Sequence, residues 1–82
     1  MEEELPQLPG FREMAARRRE MIAELSARRR ASGLSQTDVA ARMGTSQSAV
    51  ARLEAGDADV RASTLERYAA AIGSRITWRL DS

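Results

Sequence analysis

The chain has 82 residues and a net charge of +1, with no cysteine and no histidine. That composition excludes disulfide staples, His/Cys zinc sites and Ser-His-Asp or Cys-His catalysis. No apolar run approaches the roughly 18 residues a membrane span needs. The length corresponds to one domain, of a size that buries only about 60% of its unfolded surface and gains from a partner subunit. The charge is unevenly spread: the first ten residues carry Glu2, Glu3 and Glu4 and no base, whereas residues 11–82 carry a net +4, every base an arginine. Arginine suits phosphate and guanine because its fork donates two hydrogen bonds at once, although a GC-rich coding bias also produces an all-arginine chain.

In chain order, residues 1–10 read as a flexible acidic tail interrupted by Pro6 and Pro9, which adds nothing to a core. This start is not the basic-then-apolar opening of a signal peptide, so the expected location is the cytoplasm. From Phe11 to about Ser32 good helix formers dominate, with Phe11, Met14, Met21, Ile22 and Leu25 as the packing stripe; one long helix or two abutting ones both fit. Arg28, Arg29 and Arg30 read either as a basic patch or as a solvated face, and so do Arg17, Arg18 and Arg19. Gly33 stops the helix.

A second helix opens at Ser35, with Asp38 completing a capping box and Leu34 and Val39 forming a hydrophobic staple. Val39, Ala40 and Met43 make its buried face, and Gly44 ends it. Ser46 caps a third helix in which Val50 and Leu53 face inward, and Gly56 terminates it. A polar loop, 57–62, leads to a fourth helix, opened by a Ser63–Glu66 capping box, with Leu65, Ala69 and Ile72 at helical spacing and Gly73 as the stop. Beyond it Ile76, Trp78 and Leu80 alternate with Arg75, Thr77, Arg79 and Asp81, the period-two pattern of a strand. The domain organisation expected is thus a tail (1–10), a helical domain (11–73) and a C-terminal strand (74–82).

Two short helices joined by a tight glycine turn form a helix-turn-helix unit. The segment QTDVAARMGTSQSAVARLEAG meets its demands: a small residue, Ala40, where the helices cross, a glycine at the turn, and Val39, Met43, Val50 and Leu53 as the shared core. Thr45 departs from the apolar residue commoner after that glycine. The longer string GLSQTDVAARMGTSQSAVARLEAG, followed by STLERYAAAIG, resembles the phage-repressor-like, or XRE-type, helix-turn-helix family over residues 33–73. The resemblance implies an all-α bundle of four to five helices, here with the short C-terminal strand appended. It also implies sequence-specific binding of double-stranded DNA, usually as a dimer.

Carried over by position, the third helix is the recognition helix, whose first turn enters the major groove. Gln47, Ser48 and Arg52 are then the base readers, since glutamine pairs with adenine and arginine with guanine. Ser46 and Gln36 are phosphate contacts, with Gln36 also placed to brace Gln47, and Arg61 is a further phosphate candidate. Arg52 has a competing use, pairing with Glu54 or Asp57 on the surface. The function expected is a transcriptional regulator, most simply a repressor, acting as a homodimer on a palindromic operator.

The long Arg- and Glu-rich first helix, the single domain and the C-terminal strand also look similar to HigA-type antitoxins, which bind a toxin and repress their own operon. No enzyme is indicated: Asp38, Glu54 and Glu66 sit at helix ends, where capping and dipole roles account for them, and no cofactor or metal is called for. The C-terminal strand, having no partner in the chain, is expected to pair with its own symmetry mate; the competing arrangement folds it back with Trp78 plugging the core.

Overall fold

The computed structural model describes residues 10–56 and 59–80. Among these, four helices are formed: α1 (Phe11–Ala31), α2 (Gln36–Met43), α3 (Gln47–Ala55) and α4 (Ala62–Ala71). The acidic segment before Gly10, the Phe11 side chain and Asp57 lie outside the described residues.

α1 is one continuous helix of 21 residues, about 31 Å long at 1.5 Å per residue. Only its C-terminal half joins the core, through Ile22, Leu25, Ser26 and Arg29 at helical spacing. In its N-terminal half, Arg12, Glu13, Arg17, Arg19 and Glu20 are exposed. Met14, expected in the packing stripe, is exposed as well (55%), because no other described helix reaches that end of α1. The helix closes with two bonds that recover orphaned carbonyls: the Gly33 N–H reaches Arg30 O (3.0 Å) and the Leu34 N–H reaches Arg29 O (3.1 Å). This is the Schellman arrangement, with apolar Leu34 tucked against the core.

α2 starts as its sequence dictates. Ser35 Oγ accepts from the Asp38 N–H (2.9 Å) and the Asp38 carboxylate accepts from the Ser35 N–H (2.8 Å), a complete capping box. The Ser35 N–H holds the Asp38 carboxyl below the usual carboxylate range. Gly44 takes φ 71° at the turn between α2 and α3, a conformation in which any Cβ would crowd its own backbone. Ser46 caps α3 by accepting from the Ala49 N–H at 3.1 Å.

α2 and α3 cross over Val39, Ala40, Met43, Val50 and Leu53, and α4 closes the far side with Leu65, Tyr68, Ala69, Ala71 and Ile72. Two arginines tie α2 and α4 reciprocally. Arg42, in the last turn of α2, donates to Ala71 O at the end of α4 (2.8 Å), and Arg67 of α4 donates to Met43 O at the end of α2 (2.6 Å). Each positive charge thereby satisfies carbonyls that a helix terminus leaves unpaired.

Two expectations require correction. α4 begins at Ala62, one residue before the expected cap, with Arg61 in the N-cap position and no side-chain cap bond. Ser63 is therefore inside the helix, and Glu66 instead accepts from the Trp78 indole N–H. The expected C-terminal β-strand is not formed among the described residues; 74–80 are irregular. A strand needs a ladder partner, and this segment is held by side chains instead. Ser74 Oγ accepts from Arg28, Ile76 packs against the core, and Trp78 leans on α4 through Glu66. Nor is Trp78 a core plug: it is 51% exposed, and Leu80 is 99% exposed.

Candidate nucleic-acid interface

The short turn between α2 and α3 leaves the first turn of α3 projecting. Val50 and Leu53 face inward and are buried, while Gln47, Ser48, Ala49 and Arg52 are exposed. Ser46, the capping residue, is exposed too, and its Oγ lies 3.2 Å from Ser48 Oγ. Ala49 adds no bulk to this surface. All three expected base readers therefore stand on the accessible side of α3.

Gln36, at the start of α2, is half-buried behind them. Gln47 Nε2 donates to Gln36 Oε1 at 2.6 Å, so the expected brace between the two amides is present. Arg52 and Arg61 come together across a shallow groove between α3 and the start of α4, lined also by Ala49, Val60 and Thr64. Asp59 borders the same groove and pairs with Arg18 of α1 at 3.7 Å. The six residues singled out from the sequence thus fall on one stretch of surface: the starts of α2 and α3, the exposed side of α3, and the N-cap of α4.

Behind this surface lies a group that sequence reading misassigned. Glu54 is not a surface dipole residue, and Arg29 is neither patch nor solvated face. Arg29 is buried (7% exposed) and forms a bidentate pair with Glu54, Nε to Oε2 at 2.7 Å and Nη2 to Oε1 at 3.1 Å. Arg29 Nη1 also donates to Leu34 O at 2.8 Å, which ties the end of α1 to the start of α2. Glu54 accepts further from Tyr68 OH (2.6 Å), Gln36 Nε2 (3.0 Å) and Ser26 Oγ (3.2 Å). A carboxylate offers about four lone-pair positions, so this one is saturated. Flanking it, Arg30 donates to Ser26 Oγ (2.8 Å) and Arg28 pairs with Glu24 (2.7 Å).

The electrostatics follow from these contacts. Burial pushes the Glu54 carboxyl up, but the bonds from Arg29, Tyr68 and Gln36 outweigh burial and hold it at about 2. The Arg29 guanidinium is raised by its bond to Glu54. Burial, reinforced by the bond to Glu54, pushes the Tyr68 phenol up, so it remains a donor. A signal for this cluster was present in the sequence: Ile22, Leu25, Ser26 and Arg29 form one i, i+3, i+4, i+7 row, which marks Arg29 as inward-facing.

The helix-turn-helix sequence profile matches residues 25–79, which spans all of α2, α3 and α4. The chain belongs to the XRE-type helix-turn-helix family. Within this helix-turn-helix protein, α2 and α3 are the two helices joined by the tight turn at Gly44. The chain is also 39% identical over 76 residues to antitoxin HigA1 of Mycobacterium tuberculosis, with the same figures in two strains. That match covers 93% of this chain but 51% of the relative, so the chain spans about half the length of the curated relatives it matches. No solved structure matches it significantly.

The charged cluster gives stability a defined pH dependence. The folded value for Glu54, about 2, lies below its ordinary 4.5, so its contribution is present above pH 4.5 and is lost as the pH falls toward 2. Acid unfolding followed by circular dichroism is expected to steepen across that window, and Glu54→Gln is expected to flatten it. An unchanged acid limb in the variant would contradict an ionised Glu54.

Proposed function

We propose that the chain is a sequence-specific, double-stranded-DNA-binding transcriptional regulator, and specifically a repressor. The observation that carries this reading is the exposed side of α3, where Gln47 and Ser48 in the first turn and Arg52 in the last are all accessible and Gln47 is already braced. Residues at these positions reach base edges when such a helix lies in the major groove. Gln36, Ser46 and Arg61 flank that face and supply phosphate contacts, which position the protein without reading sequence. The chemistry asked of the chain is binding and occlusion, with no catalysis and no cofactor, carried out in the cytoplasm where the DNA is.

A second reading is favoured by one observation, the identity to antitoxin HigA1 over nearly the whole chain. An antitoxin of this kind binds a toxin protein and represses its own operon, so it uses the same DNA-reading face. The two readings differ in whether a toxin partner exists, and co-purification with the product of an adjacent small open reading frame distinguishes them.

The regulator acts as a homodimer on a palindromic operator. One recognition helix reads only a few base pairs, whereas two held about 34 Å apart read successive major grooves. The C-terminal segment supports a two-fold contact. Trp78 and Leu80 are exposed, and the alternation of apolar and polar residues over 75–80 suits antiparallel pairing with the same segment of a second copy.

Selection of duplexes from random DNA supplies the operator, against which Arg52→Ala is expected to cost about 1–3 kcal/mol at a single guanine position. Arg61→Ala is expected to weaken all duplexes alike and to reduce the salt dependence. Equal losses on operator and random DNA for Arg52→Ala would remove its base-reading role. Truncation after Gly73 is expected to convert the dimer to a monomer in sedimentation and to weaken operator binding; an unchanged mass would place the interface in the helices.

A further inference from the structure

We propose that Glu54, whose side chain is buried behind the exposed side of α3, is a specificity-determining positioning residue: it fixes the direction of the Gln36–Gln47 amide pair and thereby commits Gln47 to adenine. The proposal deepens the reading above, in which α3 reads the major groove, and rests on it.

A carboxylate accepts hydrogen bonds and donates none. Glu54 lies 3.0 Å from the Gln36 side-chain nitrogen, and its other lone pairs are taken by Arg29, Tyr68 and Ser26. A glutamine amide can present either end to most neighbours, but it can present only its NH2 end to this one. Gln36 Oε1 is therefore turned outward, where it accepts from Gln47 Nε2 at 2.6 Å. That bond in turn consumes one of the two N–H groups of Gln47. What Gln47 has left for a base is one donor and one acceptor, side by side.

Adenine presents the matching pair in the major groove, the N7 acceptor and the N6 donor, whereas guanine presents two acceptors, N7 and O6. With one N–H committed inward, Gln47 cannot offer guanine two donors, and its free Oε1 faces the guanine O6. Were the Gln36 amide reversed, Gln47 would turn its oxygen inward and present both N–H groups, the pattern guanine accepts. The buried carboxylate is what forbids that reversal. Arg29 and Tyr68 contribute by holding Glu54 ionised and in place, since a protonated or displaced carboxyl would lose its acceptor-only character.

The test uses the full chain and a duplex selected by it from random DNA, resynthesised with each of the four bases at every position. The position read by Gln47 is the one whose preference disappears in Gln47→Ala. At that position the adenine-over-guanine ratio is expected to be about tenfold or more in the unaltered chain. In Glu54→Gln it is expected to fall toward one, because a glutamine at 54 can face Gln36 with either end, while affinity for random duplex is retained. Where Glu54→Gln leaves too little folded protein, Gln36→Met decides the question. It leaves the Arg29–Glu54–Tyr68 cluster intact and frees the Gln47 amide, and the same collapse of the ratio is expected with a melting temperature close to that of the unaltered chain. Retention of the full adenine preference in the folded variants overturns the proposal alone. Absence from the unaltered chain of any preference that Gln47→Ala removes overturns the base-reading role of Gln47, and the proposal with it.

Discussion

A single buried carboxylate organises this domain. Glu54 projects from α3 into the space where the four helices meet and accepts hydrogen bonds from Ser26 and Arg29 of α1, Gln36 of α2 and Tyr68 of α4. Burying a charge in so small a core is unfavourable unless it is paired and its lone pairs are filled, and both conditions are met here. The arrangement also carries a liability. Removing one partner strands the other, at a cost of about 3–5 kcal/mol in a fold whose entire stability is expected to be on the order of 5–15 kcal/mol. An apolar cluster of the same volume would hold the helices together without specifying their directions. The fork of Arg29, in contact with both Glu54 and Leu34 O, fixes where α1 ends relative to α2 and α3.

The same carboxylate connects the core to the outer face. The apolar contacts of Val39, Ala40, Val50 and Leu53 set how α2 and α3 cross, and the turn at Gly44 sets how closely one follows the other. Those features place α3 but say nothing about the orientation of its side chains. The bonds from Glu54 through Gln36 to Gln47 carry order from the interior to the surface. A side chain ordered before it meets a ligand loses less entropy on binding. The braced Gln47 is in that sense pre-arranged, whereas Arg52, on the same helix, lies beside Arg61 on an open groove.

Much of this was legible in the sequence, and for identifiable reasons. The capping box at Ser35, the cap at Ser46 and the turn at Gly44 are local features, written within four or five residues, and each appears in the structure. The helix-turn-helix core followed from helical periodicity, and the Gln36–Gln47 brace from the family resemblance. Features set by distant residues were not legible. Glu54 is a surface acid by its neighbours in sequence; only Arg29, 25 residues away, and Tyr68, 14 residues away, make it a core residue. The N-cap of α4 is Arg61, two residues before the expected Ser63, which with Glu66 fits a capping box locally, while Trp78 engages Glu66 from outside the helix. The period-two pattern at 75–80 suggests a strand, but a strand also requires a ladder partner, which the described residues do not provide, and of its apolar residues only Ile76 packs against the core.

The junction of the four helices and the order of Gln47 both depend on an ionised Glu54, and direct titration of its side-chain carboxyl carbon by nuclear magnetic resonance tests for it. The folded chain is expected to show no titration of Glu54 through the ordinary carboxylate range, with its midpoint at about 2 or masked by acid unfolding. A midpoint at or above the ordinary 4.5 in the folded chain would contradict it, because a carboxyl that protonates so readily is not held by Arg29, Tyr68 and Gln36 and cannot order the surface beyond them.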